Sequence, residues 1–126
     1  MTLILDAGAF LAVERADREI AALLKGELLA RRVPRTHGGV VGQIWRGGGG
    51  RQASVARLLG ATEVVALDER LGRRAGVLLR RAQADDAIDA AVVLLAADGD
   101  TILSSDAQDL RSLAVAAAVH VDIVPV

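Results

Sequence analysis

The chain has no cysteine and only two aromatic residues, Phe10 and Trp45, among its 126 residues. The lack of thiols excludes disulfides and zinc sites with cysteine ligands, and it fits a reducing cytosol. With so few rings, the core must consist of small aliphatic side chains packed between helices and a sheet. No aromatic platform for stacking bases is evident, because Trp45 falls on an apolar helical stripe and is expected in the core.

Long apolar runs are also missing. The N-terminal run ends at Asp6 and has no basic segment before it, so it is too short for a signal peptide or a membrane span. We therefore expect a cytoplasmic protein with no membrane partner. The length of 126 residues predicts one domain, because it is in the range of a single hydrophobic core.

The net charge of −1 hides an uneven distribution of charge along the chain. Residues 1–84 contain 14 Lys and Arg against 8 Asp and Glu, whereas residues 85–126 contain 1 against 8. Such polarity is common in solvated surfaces. The alternative is that the acidic third binds cations while the arginine-rich part meets phosphate.

Apolar periodicity predicts alternating strands and helices. The expected strands are residues 3–5, a short extended piece after Val33-Pro34, 63–67, 101–104 and 120–124, the last at a sheet edge. The expected helices cover about 8–15, 20–28, 40–45, 52–59, 68–81, 85–98 and 107–117. Residues 46–51 enclose four consecutive glycines and are expected to form a mobile loop. This alternation predicts an α/β fold of three layers, with a mostly parallel, twisted central sheet covered by helices on both faces.

Several carboxylates fall where such a sheet forms its sites. Asp6 and Asp106 each follow a short apolar strand, at the carboxyl end where ligands bind in parallel α/β folds. Asp85, Asp86 and Asp89 share one face near a helix start, where like charges repel unless a cation intervenes. If the two strands are neighbours, their carboxylates lie within reach of one ion. Oxygen ligands favour Mg²⁺ or Mn²⁺ over zinc.

Helix capping is the structural alternative for most of these acids. Asp106, Asp85 and Asp86 suit a helix start, and Asp68 is a cap with nothing beside it. Asp6 is harder to explain in this way, because a carboxylate directly after a buried strand needs hydrogen-bond partners or a cation.

Three segments together resemble the PIN domain family in their order and separation across the whole chain. They are Leu-Ile-Leu-Asp6-Ala-Gly, Asp89-Ala-Ala-Val-Val-Leu-Leu-Ala96 and Ile-Leu-Ser104-Ser105-Asp106-Ala-Gln-Asp109-Leu. The resemblance implies a single PIN-like domain over residues 1–126 with a three-layer α/β/α fold. It also implies metal-dependent cleavage of RNA, commonly as the VapC half of a toxin–antitoxin pair.

The same resemblance implies the roles of individual residues. Asp6, Asp89 and Asp106 would hold Mg²⁺ or Mn²⁺, which would activate a water molecule for in-line attack on phosphate. Ser104 would supply a hydroxyl that orients this water or the Asp106 carboxylate.

The sequence departs from the family at one acidic position, where Gln43 stands instead of the usual Glu. A glutamine keeps an acceptor oxygen but carries no charge, so metal affinity should be lower. Asp86, Asp109 and Glu14 are the candidates to compensate for this loss.

The expected partners are an RNA substrate, a VapB-like antitoxin that inserts an arginine into the acidic pocket, and a second copy of the chain. Arg46 and Arg51, beside the glycines, are candidates for phosphate contact, although exposed arginines are often only solvated. A first alternative is an inactive PIN-like module that binds RNA or protein. A second, receiver-like phosphoryl-transfer domain is disfavoured, because no late strand carries a lysine and Lys25 is the only one in the chain.

Overall fold

The computed structural model describes all 126 residues as alternating strands and helices. The strands are β1 (Leu3–Leu5), β2 (Arg35–His37), β3 (Glu63–Val65), β4 (Thr101–Ser104) and β5 (Asp122–Pro125). The helices are α1 (Ala7–Glu14), α2 (Arg18–Leu29), α3 (Gly38–Ile44), α4 (Ala53–Gly60), α5 (Glu69–Ala82), α6 (Ala87–Leu94) and α7 (Ala107–Ala116). A 3₁₀ turn, Gly50–Gln52, precedes α4.

The five strands form one parallel sheet in the order β3-β2-β1-β4-β5. β1 and β4 are neighbours, with Leu5 opposite Leu103, as the carboxylate argument required. β2 and β3 follow on one side of β1, and β4 and β5 follow on the other. The topological switch point of the sheet therefore lies between β1 and β4. β5 is an edge strand, as predicted.

The helices form two groups that pack on the sheet. α1 contacts α2, α3 and α4, whereas α5 contacts α6 and α7. Right-handed crossovers place the two groups on opposite faces of a sheet with this strand order. β1 is buried along its whole length, as expected for a strand covered on both faces. The predicted three-layer α/β fold with a parallel sheet is thus confirmed.

The core consists of aliphatic side chains, and Phe10 is its only aromatic member. α5 illustrates how the sequence produces the packing: Leu71, Ala75 and Leu78, at spacings of four and three, form its buried face. Burial of each large aliphatic side chain of this kind stabilises the fold by about 1.5–3 kcal/mol. None of the helices has both the length and the apolar character that a membrane span requires.

The prediction that Trp45 belongs to the core is wrong. The indole is 39% exposed because α3 ends at Ile44 and the backbone of Trp45 is already extended. The apolar stripe therefore stops one residue earlier than its periodicity suggests. Gly48, at a φ of +73°, lies so close that an added Cβ would be 2.5 Å from the indole ring.

One buried side chain anchors the glycine-rich loop, whose expected mobility stays a prediction. The buried Gln52 side chain accepts hydrogen bonds from the amides of Arg46 (2.9 Å) and Gly48 (3.1 Å). It also donates one to the carbonyl of Ile44 at 2.7 Å. Gln52 therefore connects the end of α3 to the end of the 3₁₀ turn, where α4 begins.

The helix predicted for residues 85–98 is shorter at both ends, and an aspartate side chain bonds the backbone near each of them. Asp86 caps the N-terminus, so α6 begins at Ala87. Beyond Leu95, the Asp100 carboxylate accepts hydrogen bonds from the amides of Ala97 and Thr2, both at 2.8 Å. These bonds favour a turn into β4 over continuation of the helix. The strand predicted for residues 63–67 also ends earlier, at residue 65.

Candidate functional site

Two aspartates lie on either side of the switch point, at the carboxyl edge of the sheet. Asp6 directly follows β1, and its amide still donates to the carbonyl of Leu103 on β4 at 3.2 Å. Asp106 comes two residues after β4 ends at Ser104. Asp6 is only 4% exposed, whereas Asp106 is exposed. Sites in open α/β sheets form at this position, because the connections diverge there and leave a crevice.

The protein itself supplies hydrogen-bond partners for the buried carboxylate of Asp6. Asp6 is the N-cap of α1 and accepts a hydrogen bond from the amide of Ala9 at 3.3 Å. Burial raises the pKa of this carboxyl, while hydrogen bonds from the Ser104 hydroxyl and from the amides of Ala9, Gly8 and Ser105 oppose the rise. The carboxylate is consequently held in one orientation beside β4.

Ser104 links the two strand-end aspartates. Its hydroxyl is buried and accepts a hydrogen bond from the Asp106 amide at 2.8 Å, while it also stabilises the charged form of Asp6. Asp106 occupies the N-cap position of α7 but makes no capping hydrogen bond with its side chain. Capping therefore does not account for Asp106, whose carboxylate stays free.

The N-terminus of α6 brings two further carboxylates to this edge. Asp86 caps the helix through the amides of Ile88 and Asp89, each at 3.0 Å, which agrees with the capping alternative for this residue. The carbonyl of Ile88 lies 3.0 Å from the Nε2 atom of His37, at the end of β2. This contact fixes the start of α6 at the carboxyl edge of the sheet.

Asp89 experiences the charges of four other aspartates. Its pKa is raised to about 7, first by burial and then by the charges of Asp86, Asp106, Asp6 and Asp109, in that order. These five residues, which we call the aspartate cluster, come from the starts of three helices. Repulsion within the cluster is relieved by a proton on Asp89 or by a cation.

A cleft of about 290 Å³ opens beside the cluster. Asp86, Asp89 and Asp109 line it, and the end of α5 contributes Ala82 and Gln83. No group of three or more His, Cys, Asp or Glu side chains is arranged so that it could hold a metal ion. The donor chemistry of the cluster fits Mg²⁺ or Mn²⁺, which prefer carboxylate oxygens.

Gln43, Arg46 and Arg51 lie together in a second cavity of about 620 Å³. Glu14 and Gln52 also line it, and no member of the aspartate cluster does. Gln43 is six residues beyond the end of β2, which corresponds to about 9 Å along a helix axis. Gln43 and Glu14 thus line the same cavity as the two arginines. A contact between Gln43 and the aspartate cluster stays a prediction.

Sequence reasoning missed His37. Its buried ring caps α3, because Nδ1 accepts the Gly39 amide at 3.0 Å while Nε2 donates to Ile88. Both contacts require the neutral ring with the proton on Nε2, and burial lowers the pKa of His37. The available signal was a polar residue just before a helix start, the position of an N-cap.

No protein family, curated protein or solved structure matches this chain. What the aspartate cluster can do chemically therefore has to follow from its own residues.

Proposed function

We propose that this chain is a metal-dependent ribonuclease of the PIN/VapC toxin type, which hydrolyses RNA phosphodiester bonds with Mg²⁺ or Mn²⁺. The main support is the convergence of Asp6, Asp89 and Asp106 at the carboxyl edge, beside the switch point. Capping accounts for Asp86, but it leaves the Asp106 carboxylate without a structural role.

Each residue of the cluster has a distinct part in the proposed chemistry. Asp6, Asp89 and Asp106 would hold the divalent cation, which supplies Lewis-acid polarisation of phosphate and a water of lowered pKa. Asp6 is preorganised by backbone amides, and Ser104 positions the backbone of Asp106. Asp89 must release its proton before it binds a cation, so cation affinity should fall below pH 7.

The second cavity supports the RNA part of the proposal. Arg46 and Arg51 can pair with phosphate oxygens through their guanidinium groups, and Gln43 offers a neutral donor and acceptor beside them. The proposal further entails a cytoplasmic toxin, a VapB-like antitoxin and a homodimer.

An inactive PIN-like module that binds RNA or protein is the second candidate. Two observations favour it: no three acidic side chains are arranged to ligate one ion, and the uncharged Gln43 lines a cavity to which the cluster does not contribute. In this case the cluster would bind no Mn²⁺, while the chain would still bind RNA.

A cleavage assay on a mixture of structured cellular RNAs separates the two candidates. Wild type, Asp6→Asn, Asp106→Asn and the control Asp122→Asn, which changes an exposed edge-strand acid, are compared with Mn²⁺ or with EDTA. The nuclease predicts Mn²⁺-dependent cleavage that drops by about 100-fold or more in the first two variants only. If wild type binds RNA but does not cleave it, the nuclease proposal is wrong and the inactive binding module is the function that the result supports.

A further inference from the structure

One exposed face of α5 carries a third of the basic residues of the chain. We call this face the arginine stripe; it comprises Arg70, Arg73, Arg74, Arg80 and Arg81. At about 100° per residue these five positions fall in one sector of the helix, outside its buried face. Val77 lies in the middle of the stripe and is 48% exposed.

The charge of the stripe is largely uncompensated within the protein. Arg73 pairs with Glu69 at 3.2 Å, both side chains being exposed, and the other four arginines form no ion pair. Arg80 and Arg81 lie in the last turn, where positive charge is favourable because of the helix dipole. Arg70 repels Arg73 and Arg74 across one turn. Helix stability therefore does not account for the first half of the stripe.

The stripe borders a cleft that has an apolar floor. Arg73, Arg74 and Arg81 surround a space of about 410 Å³, whose floor includes Leu94 and Ala117. Guanidinium groups next to apolar surface suit a sugar–phosphate chain, which presents anionic oxygens and apolar ribose faces together.

The stripe also leads to the aspartate cluster. α5 ends at Ala82, and Ala82 and Gln83 form one wall of the acidic cleft. With 14 residues, the helix is about 21 Å long. A strand bound along α5 would therefore reach the acidic cleft with one of its ends.

We infer that the arginine stripe binds the backbone of single-stranded RNA whose adjoining segment enters the acidic cleft, an inference that rests on the proposed ribonuclease function. The stripe supplies affinity that does not depend on sequence, because it contacts phosphates and not base edges. It would also offset the repulsion between RNA and the aspartate cluster.

The test measures binding without cleavage. A fluorescent 12-residue oligouridine is titrated with the full chain in EDTA at several salt concentrations, with fluorescence anisotropy as the readout. The stripe variant is Arg73→Gln/Arg74→Gln/Arg81→Gln. The matched control is Arg15→Gln/Arg18→Gln/Arg57→Gln, which removes the same charge from exposed positions on α4 and around the start of α2. Circular dichroism verifies that both variants are folded.

The stripe variant should bind RNA on the order of 10- to 100-fold more weakly at 0.1 M salt. When the logarithm of the binding constant is plotted against the logarithm of the salt concentration, the magnitude of the slope should be smaller than that of wild type by about 2. The control should behave like wild type. An equal loss in both variants, or none in either, would overturn the assignment.

A 12-residue polyglutamate that binds the stripe as tightly as oligouridine would also overturn it and would indicate an acidic protein partner. Because EDTA removes the cation, this result is independent of the cleavage assay: RNA can bind the stripe even if the nuclease proposal fails.

Discussion

The hydroxyl oxygen of Ser104 lies 2.8 Å from the amide nitrogen of Asp106 and accepts its hydrogen bond. The same hydroxyl stabilises the charged form of Asp6, which directly follows the neighbouring strand β1. One buried side chain thus hydrogen-bonds both aspartates at the switch point of the sheet. The positions of the two carboxylates should consequently depend on it.

Ser104→Ala should lower the free energy of unfolding by about 1–2 kcal/mol, because the part-buried amide of Asp106 and the buried carboxylate of Asp6 each lose a partner. It should also raise the pKa of Asp6 further, since a hydrogen bond to the charged form is removed. Urea unfolding and NMR titration of the carboxyl measure the two effects. The control is Ser105→Ala, an exposed neighbour, which should change stability little; equal effects of both variants would contradict the role of Ser104.

Asp89→Asn should stabilise the fold at high pH. The folded pKa of about 7 exceeds the ordinary value of 3.8, so the folded state binds more protons between these values and stability falls as the pH rises through this window. The variant should therefore gain about 1–2 kcal/mol at pH 8, once solvent screening of a half-buried group is taken into account. Urea unfolding from pH 4 to 8 measures this, with Asp122→Asn as control. If the free energy of unfolding of Asp89→Asn depends on pH as steeply as that of wild type, the raised pKa of Asp89 is ruled out.

His37 should give a pH dependence of the opposite sign. Its pKa is lowered by burial from 6.5, so the unfolded state binds more protons just below that value and stability is lost as the pH falls. In the Asp89→Asn background this loss should become visible below about pH 6.5. Adding His37→Asn, which keeps a capping side chain, should abolish the loss, whereas adding the exposed His120→Asn should not. A loss that persists with His37→Asn would mean that another group titrates.

Gly8→Ala should destabilise the fold. An added Cβ would lie 2.8 Å from the backbone nitrogen of Ser105 and 2.7 Å from its Cβ, so the chain after β4 would have to move. We expect a loss of about 1–3 kcal/mol, as for overpacking of a tight contact. The matched control is Gly26→Ala in α2, where nothing lies within 4 Å. It should gain about 0.5–1 kcal/mol from helix propensity, and thermal unfolding compares the two.

The features that were predictable from the sequence are those that local pattern determines. The apolar runs before Asp6 and before Ser104 indicated buried parallel strands, and their polar ends indicated one edge of the sheet. Asp68 was predictable as a cap, and it accepts the Leu71 amide at 2.9 Å. Each of these features depends on neighbours within a few residues.

The features that were not predictable depend on contacts across the fold. The Gln52 side chain anchors the glycine loop only because the end of α3 lies beside it. Trp45 is exposed because a helix ended one residue before its apolar stripe did, and such boundaries are poorly determined by periodicity. The direction of Gln43 depends on how α3 packs on α1, which no spacing along the chain specifies.

The most direct test of the central claim, that the aspartate cluster binds a divalent cation, is calorimetric titration with Mn²⁺ in two buffers of different ionisation enthalpy. Wild type should bind Mn²⁺ with release of close to one proton at pH 6 and almost none at pH 8, because Asp89 has a pKa of about 7. Asp6→Asn and Asp106→Asn should lose binding, and Asp122→Asn should keep it. No heat of binding with wild type at pH 8, or equal binding by wild type and Asp106→Asn, would contradict the account.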